Sequence, residues 1–279
     1  MQVFNTITNL QSALDDWRSK DQSIAFVPTM GGLHDGHLSL VSLAKTQADI
    51  VVVSVFVNPA QFGQGEDFST YPRTQGEDLQ MLRVSKVDVV FTPDVAQIYP
   101  KPLQNPPDIG VIGQILCGKT RPHFFAGVAQ VVRRLFEIVE PDVAIFGQKD
   151  YQQLLVIKQT VKALALPIEI LSGNIVREND GLAMSTRNQY LSPKERIEAA
   201  NLYKVLQKLK QEILSNGFDT NPLLESEKAL KKHFKIDYLS ILDANTLSAT
   251  TDNTAKIAIL CAVFLGSTRL IDNIIFTKG

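Results

Sequence analysis

Four short aliphatic runs constrain this chain more than any other feature: SIAFVP (23–28), DIVVVSVFV (49–57), VDVVF (within 86–91) and DVAIFG (142–147). Each is apolar without alternation, the pattern of a strand covered on both faces. Helical patterns lie between them, HLSLVSLAKTQA (37–48) after the first, EDLQMLRVSK (77–86) before the third and VAQVVRRLFEIVE (128–140) before the fourth. Strand and helix repeated in this order predict a parallel sheet wrapped by helices, the doubly wound α/β class. Such sheets bind ligands beyond the carboxyl ends of their strands, which singles out the loops after Val27, Val57 and Phe146.

After PIEILSG (167–173) the texture changes. Ser192–Pro193 is a helix start, a capping residue followed by proline, and predicts one long helix from Ser192 to Asn216. DYLSIL (237–242), KIAILCAVFL (256–265) and RLIDNIIF (269–276) read as strands separated by turns. The expected organisation is a first domain over 1–173 and a smaller α+β domain over 174–279. With 279 residues and 44% hydrophobic side chains, the chain has material for a real core. Lys plus Arg (28) and Asp plus Glu (29) leave a formal charge of −1, which argues against a general nucleic-acid binder. The start lacks a basic stretch leading into an apolar one, and no apolar run reaches the ~20 residues that span a bilayer, so a cytoplasmic protein is expected, with no membrane partner. Cys117 and Cys261 are too few for a stapled secreted fold and read as buried thiols.

PTMGGLHDGHLSL (28–40) follows a strand and enters a helix. Gly31, Gly32 and Gly36 allow close backbone approach. His34 and His37, three apart on a first turn, can face one ligand, and a helix start attracts phosphate. The spacing also suits metal ligands, but no Cys or third His lies nearby to complete a site. Strand, glycine turn, His-x-Gly-His and helix together resemble the signature of the nucleotidyltransferases that bind ATP and attack its α-phosphate.

Three further segments carry chemistry at strand ends or in loops. VFVNPAQF (55–62) places the amides of Asn58 and Gln61 where Pro59 stops the strand. FGQKDYQQL (146–154) brings Gly147, Gln148, Lys149, Asp150 and Gln153 to the end of the fourth run, where Lys149 suits a phosphate and Asp150 can cap a helix. VRENDGLAMSTRNQYLS (176–192) offers Ser185, Thr186 and Arg187, hydroxyls and a forked donor fitted to phosphate oxygens.

Taken with EDFSTYPRT (66–74), these segments, in order and spacing, resemble the pantoate–β-alanine ligase family. The resemblance spans the chain, although its diagnostic motifs stop near residue 192. It implies a Rossmann-like doubly wound parallel sheet, a 1–173 domain for nucleotide and pantoate, and a smaller α+β partner. It implies ATP-dependent joining of (R)-pantoate to β-alanine through a pantoyl adenylate, giving pantothenate, AMP and pyrophosphate. Carried over by position, Met30, Gly31, Gly32, Leu33, His34, Asp35, Gly36 and His37 would line the ATP site. Gly147 to Asp150, Val176 and Met184 to Arg187 would continue it. His37, His34 and Lys149 would act on the phosphates, with His37 at the proton-donor position. Gln61 and Gln153 would hold pantoate, with Gln61 also placing β-alanine and Asn58 and Arg121 nearby. Magnesium should accompany ATP. Asp78, beside Glu77, is a candidate for its outer shell, unless these are simply acids in a helix's first turn. A homodimer is implied as well.

One segment departs from the family's pattern Arg-Pro-Gly-His-Phe-Arg-Gly-Val. RPHFFAGV (121–128) keeps Arg121 but has His123 and Phe124 where glycine and histidine are expected, and Ala126 in place of a basic residue. A role for the missing histidine therefore does not transfer, and His123 is a candidate to compensate from one position earlier. Thr186 stands where serine is usual and keeps the hydroxyl. Two rival readings remain: a nucleotidyltransferase acting on another acceptor, and a nucleotide-binding regulatory protein without turnover.

Overall fold

In the computed structural model, which describes residues 1–101, 106–217, 220–251 and 253–278, contacts divide the chain into two compact units. The first comprises Met1–Gln148 and Gln152–Asn174. The second comprises Lys149–Tyr151 and the chain from Ile175 onward. Lys149–Tyr151 belong with the second unit through the Lys149 carbonyl, which accepts from Asn273 Nδ2 at 2.9 Å, and the Tyr151 hydroxyl, which donates to the Ala244 carbonyl at 2.9 Å.

The first unit is built on β1 (Gln2–Phe4), β2 (Ile24–Thr29), β3 (Ile50–Val55), β4 (Val89–Phe91), β5 (Val143–Gly147) and β6 (Glu169–Gly173). All pair in parallel, in the order β1-β4-β3-β2-β5-β6. Its helices are α1 (Ile7–Arg18), α2 (Asp35–Ala44), α3 (Gln75–Val84), the short α4 (Val95–Ile98) and α5 (Cys117–Thr120), α6 (Phe124–Val139) and α7 (Tyr151–Ala163). Successive residues of β2 face opposite layers. Ala25 and Val27 pack with Leu40 and Val41 of α2 and Leu82 of α3, whereas the ring of Phe26 meets that of Phe136 on α6 at 6.4 Å. A strand covered on both sides has no solvent face, hence the unbroken apolar run. The chain leaves β2 toward β3 and β4 on one side and returns to β5 on the other, so the loops after β2 and β5 open at the point where the winding reverses. The edge strand β1 and helix α1 lie outside the sequence-based expectation, since three residues carry too little pattern to read.

The second unit has β7 (Lys235–Asp243), β8 (Lys256–Leu265) and β9 (Thr268–Thr277) as an antiparallel sheet with β8 central. Its helices are α8 (Pro193–Ala199), α9 (Asn201–Asn216) and α10 (Thr220–Lys231). Leu202, Leu206, Leu209 and Ile213, on one face of α9, share a core with Ile257, Ile259, Cys261 and Val263 of β8. The single helix expected over 192–216 is instead two. Asn201 turns its amide onto the Glu198 carbonyl at 3.0 Å, competing with the helical ladder at the Ala200 junction. Cys117 and Cys261 are both buried and form no disulfide, and burial pushes the Cys261 thiol well above its ordinary value.

One contact in the first unit ties the fold to the region of Gln61. The α6 backbone at Gly127 approaches the 3-10 turn Pro59–Gln61 so closely that a Cβ there would lie 2.2 Å from the Ala60 carbonyl oxygen. The neighbour is backbone and cannot rotate away. Gly127→Ala should therefore destabilise the protein by about 1–3 kcal/mol, the usual range for overpacking, read as a fall in the urea midpoint at unchanged slope.

Candidate active site

The loop after β2 is held in its shape by one buried carboxylate. Gly31 and Gly32 have φ of +80° and +61°, the left-handed region that only glycine enters readily. This turn aims successive N–H groups at α3, where Asp78, 1% exposed, accepts from Gly32 N at 3.1 Å and from Leu33 N at 2.8 Å. The Thr74 hydroxyl adds a bond to the same carboxylate at 3.3 Å. At the other side Thr29 Oγ1 accepts from Gly31 N and donates to the Ser54 carbonyl. Asp78 is thus placed as the loop's backbone anchor, a task that sequence reasoning, looking for a magnesium shell, did not find.

The loop delivers His34 to the N-cap of α2. His34 Nδ1 accepts from Gly36 N at 3.1 Å, and His37 Nδ1 accepts from His34 N at 3.3 Å, a reciprocal capping box. The two rings lie 4.1 Å apart. With both Nδ1 atoms accepting from the backbone, the hydrogen-bond pattern assigns the proton of each neutral imidazole to Nε2. Each ring is therefore an N–H donor at a helix start whose backbone dipole already favours an anion. Met30 precedes this loop, and Asp35 and Gly36 open the helix itself.

Gln61 lies in the turn after β3. Its Nε2 reaches Met30 Sδ at 3.1 Å, and its Oε1 accepts from Asn58 Nδ2 at 3.1 Å. Asn58 is 1% exposed, and all its hydrogen-bonding capacity is used inside the protein. Its Oδ1 accepts from Ala60 N (3.1 Å) and Tyr99 Oη (2.6 Å), and its Nδ2 donates to Gln61 Oε1 and the Gly127 carbonyl (3.2 Å). Asn58, expected as a substrate contact, is instead a support for Gln61.

Arg121 is likewise engaged by the protein. Its guanidinium bonds Glu66 through Nε at 2.7 Å and Nη2 at 2.5 Å, reaches the Gln61 carbonyl at 3.3 Å, and stacks on the Phe124 ring at 3.8 Å. The His123 imidazole packs on Gly63, inside the same turn. The altered RPHFFAGV segment thus forms a clamp on residues 61–66, with Phe124 and His123 as parts of it.

At the end of β5, Gly147 pairs with Gly173, and Gln148 Nε2 donates to Ser172 Oγ at 3.3 Å. Gln153 follows, half-buried in the first turn of α7. In the second unit, Lys149 and Asp150 approach at 3.8 Å. Val176 and Met184 join in a small hairpin through Met184 N to the Val176 carbonyl at 3.0 Å, and the Ser185 hydroxyl caps the turn holding Thr186 and Arg187. Arg177, missed by sequence reasoning, secures that hairpin. It grips Asp272 with two bonds of 2.7 and 2.9 Å, donates to the Gly181 carbonyl, and lies 3.5 Å over the Tyr203 ring.

Among the described residues no cluster of three or more His, Cys, Asp or Glu could hold a metal ion. Asp78 is enclosed by backbone donors rather than aimed at a cation.

A family model described as pantoate-beta-alanine ligase matches residues 2–275. The chain is 60% identical over 281 residues to the pantothenate synthetase of Ruthia magnifica subsp. Calyptogena magnifica, covering 100% of both. It superposes on the crystal structure of pantothenate synthetase from Thermus thermophilus with a TM-score of 0.93 at 41% identity, covering 98% of this chain and 99% of that one. A pantoate-beta-alanine ligase from Francisella tularensis, solved with beta-gamma ATP and beta-alanine, gives a TM-score of 0.84 at 36% identity, covering 100% and 98%.

The clamp has a defined pH signature. Burial acts to raise the Glu66 carboxyl, but the bonds and charge of Arg121 outweigh it and hold the group below its ordinary value. A carboxylate lowered by folding stabilises the protein above its unfolded pKa, and that contribution disappears as pH falls through the folded value. Glu66→Gln should cost about 1–3 kcal/mol at neutral pH, the worth of a hydrogen bond to a charged group. Urea unfolding at pH 7 and in acid should show the gap to wild type narrowing as the pH drops below the carboxylate range.

Proposed function

The chain belongs to the pantoate–β-alanine ligase family, and from that premise we propose how its residues divide the reaction. The enzyme condenses pantoate with β-alanine, using ATP, in pantothenate biosynthesis. In the proposed sequence the pantoate carboxylate attacks the ATP α-phosphorus, the bond to the β-phosphate oxygen breaks, and pyrophosphate leaves. The β-alanine amine then attacks the acyl carbon of the adenylate. The acyl–oxygen bond to AMP breaks, and the nitrogen loses its proton.

The observation that carries the assignment is the start of α2. Two imidazoles whose Nδ1 atoms are held by backbone N–H groups sit at a helix N-terminus, where anionic oxygens bind best. His34 and His37 neutralise charge that builds on the phosphates as pyrophosphate departs, a contact strongest in the transition state. Met30 to Gly36, Gly147 and Gln148 bind the nucleotide, as do Lys149, Asp150, Val176 and Met184 to Arg187 of the second unit, with Lys149 on the phosphates. Gln61 and Gln153 hold pantoate, and Gln61 also helps place β-alanine. Magnesium bound with ATP would supply further neutralisation of phosphate charge, beside His34, His37 and Lys149. The Rossmann-like part, residues 1–173, is the nucleotide and pantoate domain, and residues 174–279 form its smaller partner. The enzyme works in the cytoplasm as a homodimer. Family resemblance supports that reading.

Purified protein given ATP, magnesium and pantoate should release pyrophosphate, with sustained AMP release only when β-alanine is added. Pyrophosphate release with some other acid, and none with pantoate, would overturn the assignment. His37→Ala should slow single-turnover pyrophosphate release by about 10²–10³-fold while leaving ATP affinity nearly intact, as loss of a transition-state donor does. Release at the wild-type rate would remove His37 from the mechanism.

A further inference from the structure

The Asn58 amide is locked by groups that cannot change roles. Ala60 N–H can only donate and the Gly127 carbonyl can only accept, so Oδ1 must face the first and Nδ2 the second. The remaining hydrogen of Nδ2 then points at Gln61, which must answer with its carbonyl oxygen, Oε1, at 3.1 Å. Were the Gln61 amide flipped, two NH2 groups would confront each other in a buried pocket where Asn58 is 1% and Gln61 8% exposed. The last acceptor site of Asn58 Oδ1 is filled by the Tyr99 hydroxyl at 2.6 Å. Tyr99 is a lasting donor there, since burial pushes its phenol far above its ordinary value and keeps the proton on oxygen.

We propose that Tyr99 and Asn58 are positioning residues that fix the amide polarity of Gln61, turning its carbonyl oxygen to Asn58 and leaving the NH2 as the end that meets substrate. The Gln61 NH2 donates one hydrogen to Met30 Sδ at 3.1 Å, and its second hydrogen is the one available to a ligand. A group of that polarity selects oxygens with lone pairs, a carboxylate or hydroxyl oxygen, and rejects an ammonium. Gln61 therefore holds pantoate through its oxygens, and holds β-alanine, where it touches it, at the carboxylate and not at the amine. The amine stays unbound by Gln61 and available to attack. The inference rests on the reading that Gln61 contacts pantoate, and the test separates the two.

Steady-state kinetics of Gln61→Ala, Gln61→Glu and Tyr99→Phe, with thermal midpoints recorded alongside, decide the matter. Gln61→Ala should raise the KM for pantoate. An unchanged value overturns the reading that Gln61 contacts pantoate. Given that rise, Gln61→Glu distinguishes donor from acceptor: a carboxylate facing the substrate's oxygens should be worse than alanine by a further tenfold or so, the worth of a charged contact turned repulsive. If Gln61→Glu equals or betters Gln61→Ala, Gln61 is an acceptor and the proposal fails. Tyr99→Phe should raise the KM for pantoate about fivefold, the equivalent of one buried hydrogen bond, with the KM for ATP unchanged. A merely structural hydroxyl would lower the thermal midpoint and leave the pantoate KM unmoved, which overturns the role given to Tyr99. Should Tyr99→Phe fail to fold, the contrast between the two Gln61 variants still decides the polarity.

Discussion

The carboxylate of Asp78 on the backbone of Gly32 and Leu33 is the interaction from which the rest of the first unit's site follows. Two consecutive residues with positive φ make a turn whose following N–H groups point at α3, where they are half-buried. Asp78 supplies these two half-buried donors with a charged acceptor, the stronger class of hydrogen bond. With Asp78 in place the turn becomes the low-energy path out of β2 and delivers His34 to the cap of α2. The histidines then take their tautomers from the backbone rather than from each other's side chains. The chemistry at the helix start is thus set by a residue on α3 that the nucleotide need not touch.

The same logic recurs at each polar position of the candidate site. Buried polar side chains are satisfied by protein groups, and the satisfied ends dictate which end remains for a ligand. Asn58 has no capacity left over, and so it supports. Gln61 turns its oxygen to Asn58 and gives one NH2 hydrogen to Met30 Sδ, which leaves the other. In the second unit Arg177, paired with Asp272 and stacked on Tyr203, holds the hairpin that carries Val176 and Met184. Half of a buried ion pair is costly to remove, by about 3–5 kcal/mol, so Arg177 and Asp272 act as one fixed pin.

How much can be read from the sequence follows from how far each signal reaches. Strands β2, β3 and β5 announce themselves because burial on both faces is written in consecutive residues. His34, His37 and Gln61 are legible for a related reason: each lies just past such a strand, within one local motif. The hydrogen-bond partners of Asp78, Tyr99 and Arg177 are not legible, because they are distant in sequence. Gly32 and Asp78 are 46 residues apart, Asn58 and Tyr99 41, and Arg177 and Asp272 95. Asp78 stands out as an acid in a helix's first turn, but local pattern cannot tell a metal ligand from an acceptor for a loop folded against it. The break at Ala200 escapes for the opposite reason, since a single side-chain bond from Asn201 decides it and the apolar periodicity continues across the junction.

In the segment RPHFFAGV these constraints meet. Gln61 is held twice, its side chain by Asn58 and its backbone carbonyl by Arg121, and Arg121 is in turn fixed by Glu66 and the face of Phe124. An imidazole at position 124 would place a titratable group beneath the guanidinium, and on taking up a proton it would repel the cation that it supports. A phenyl ring offers its negative face at every pH. Arg121, and to a smaller extent His123 packed on Gly63, hold the Glu66 carboxyl below its ordinary value. The ring at 124 therefore has a physical consequence of its own: it supports the guanidinium without adding a titratable group beneath it.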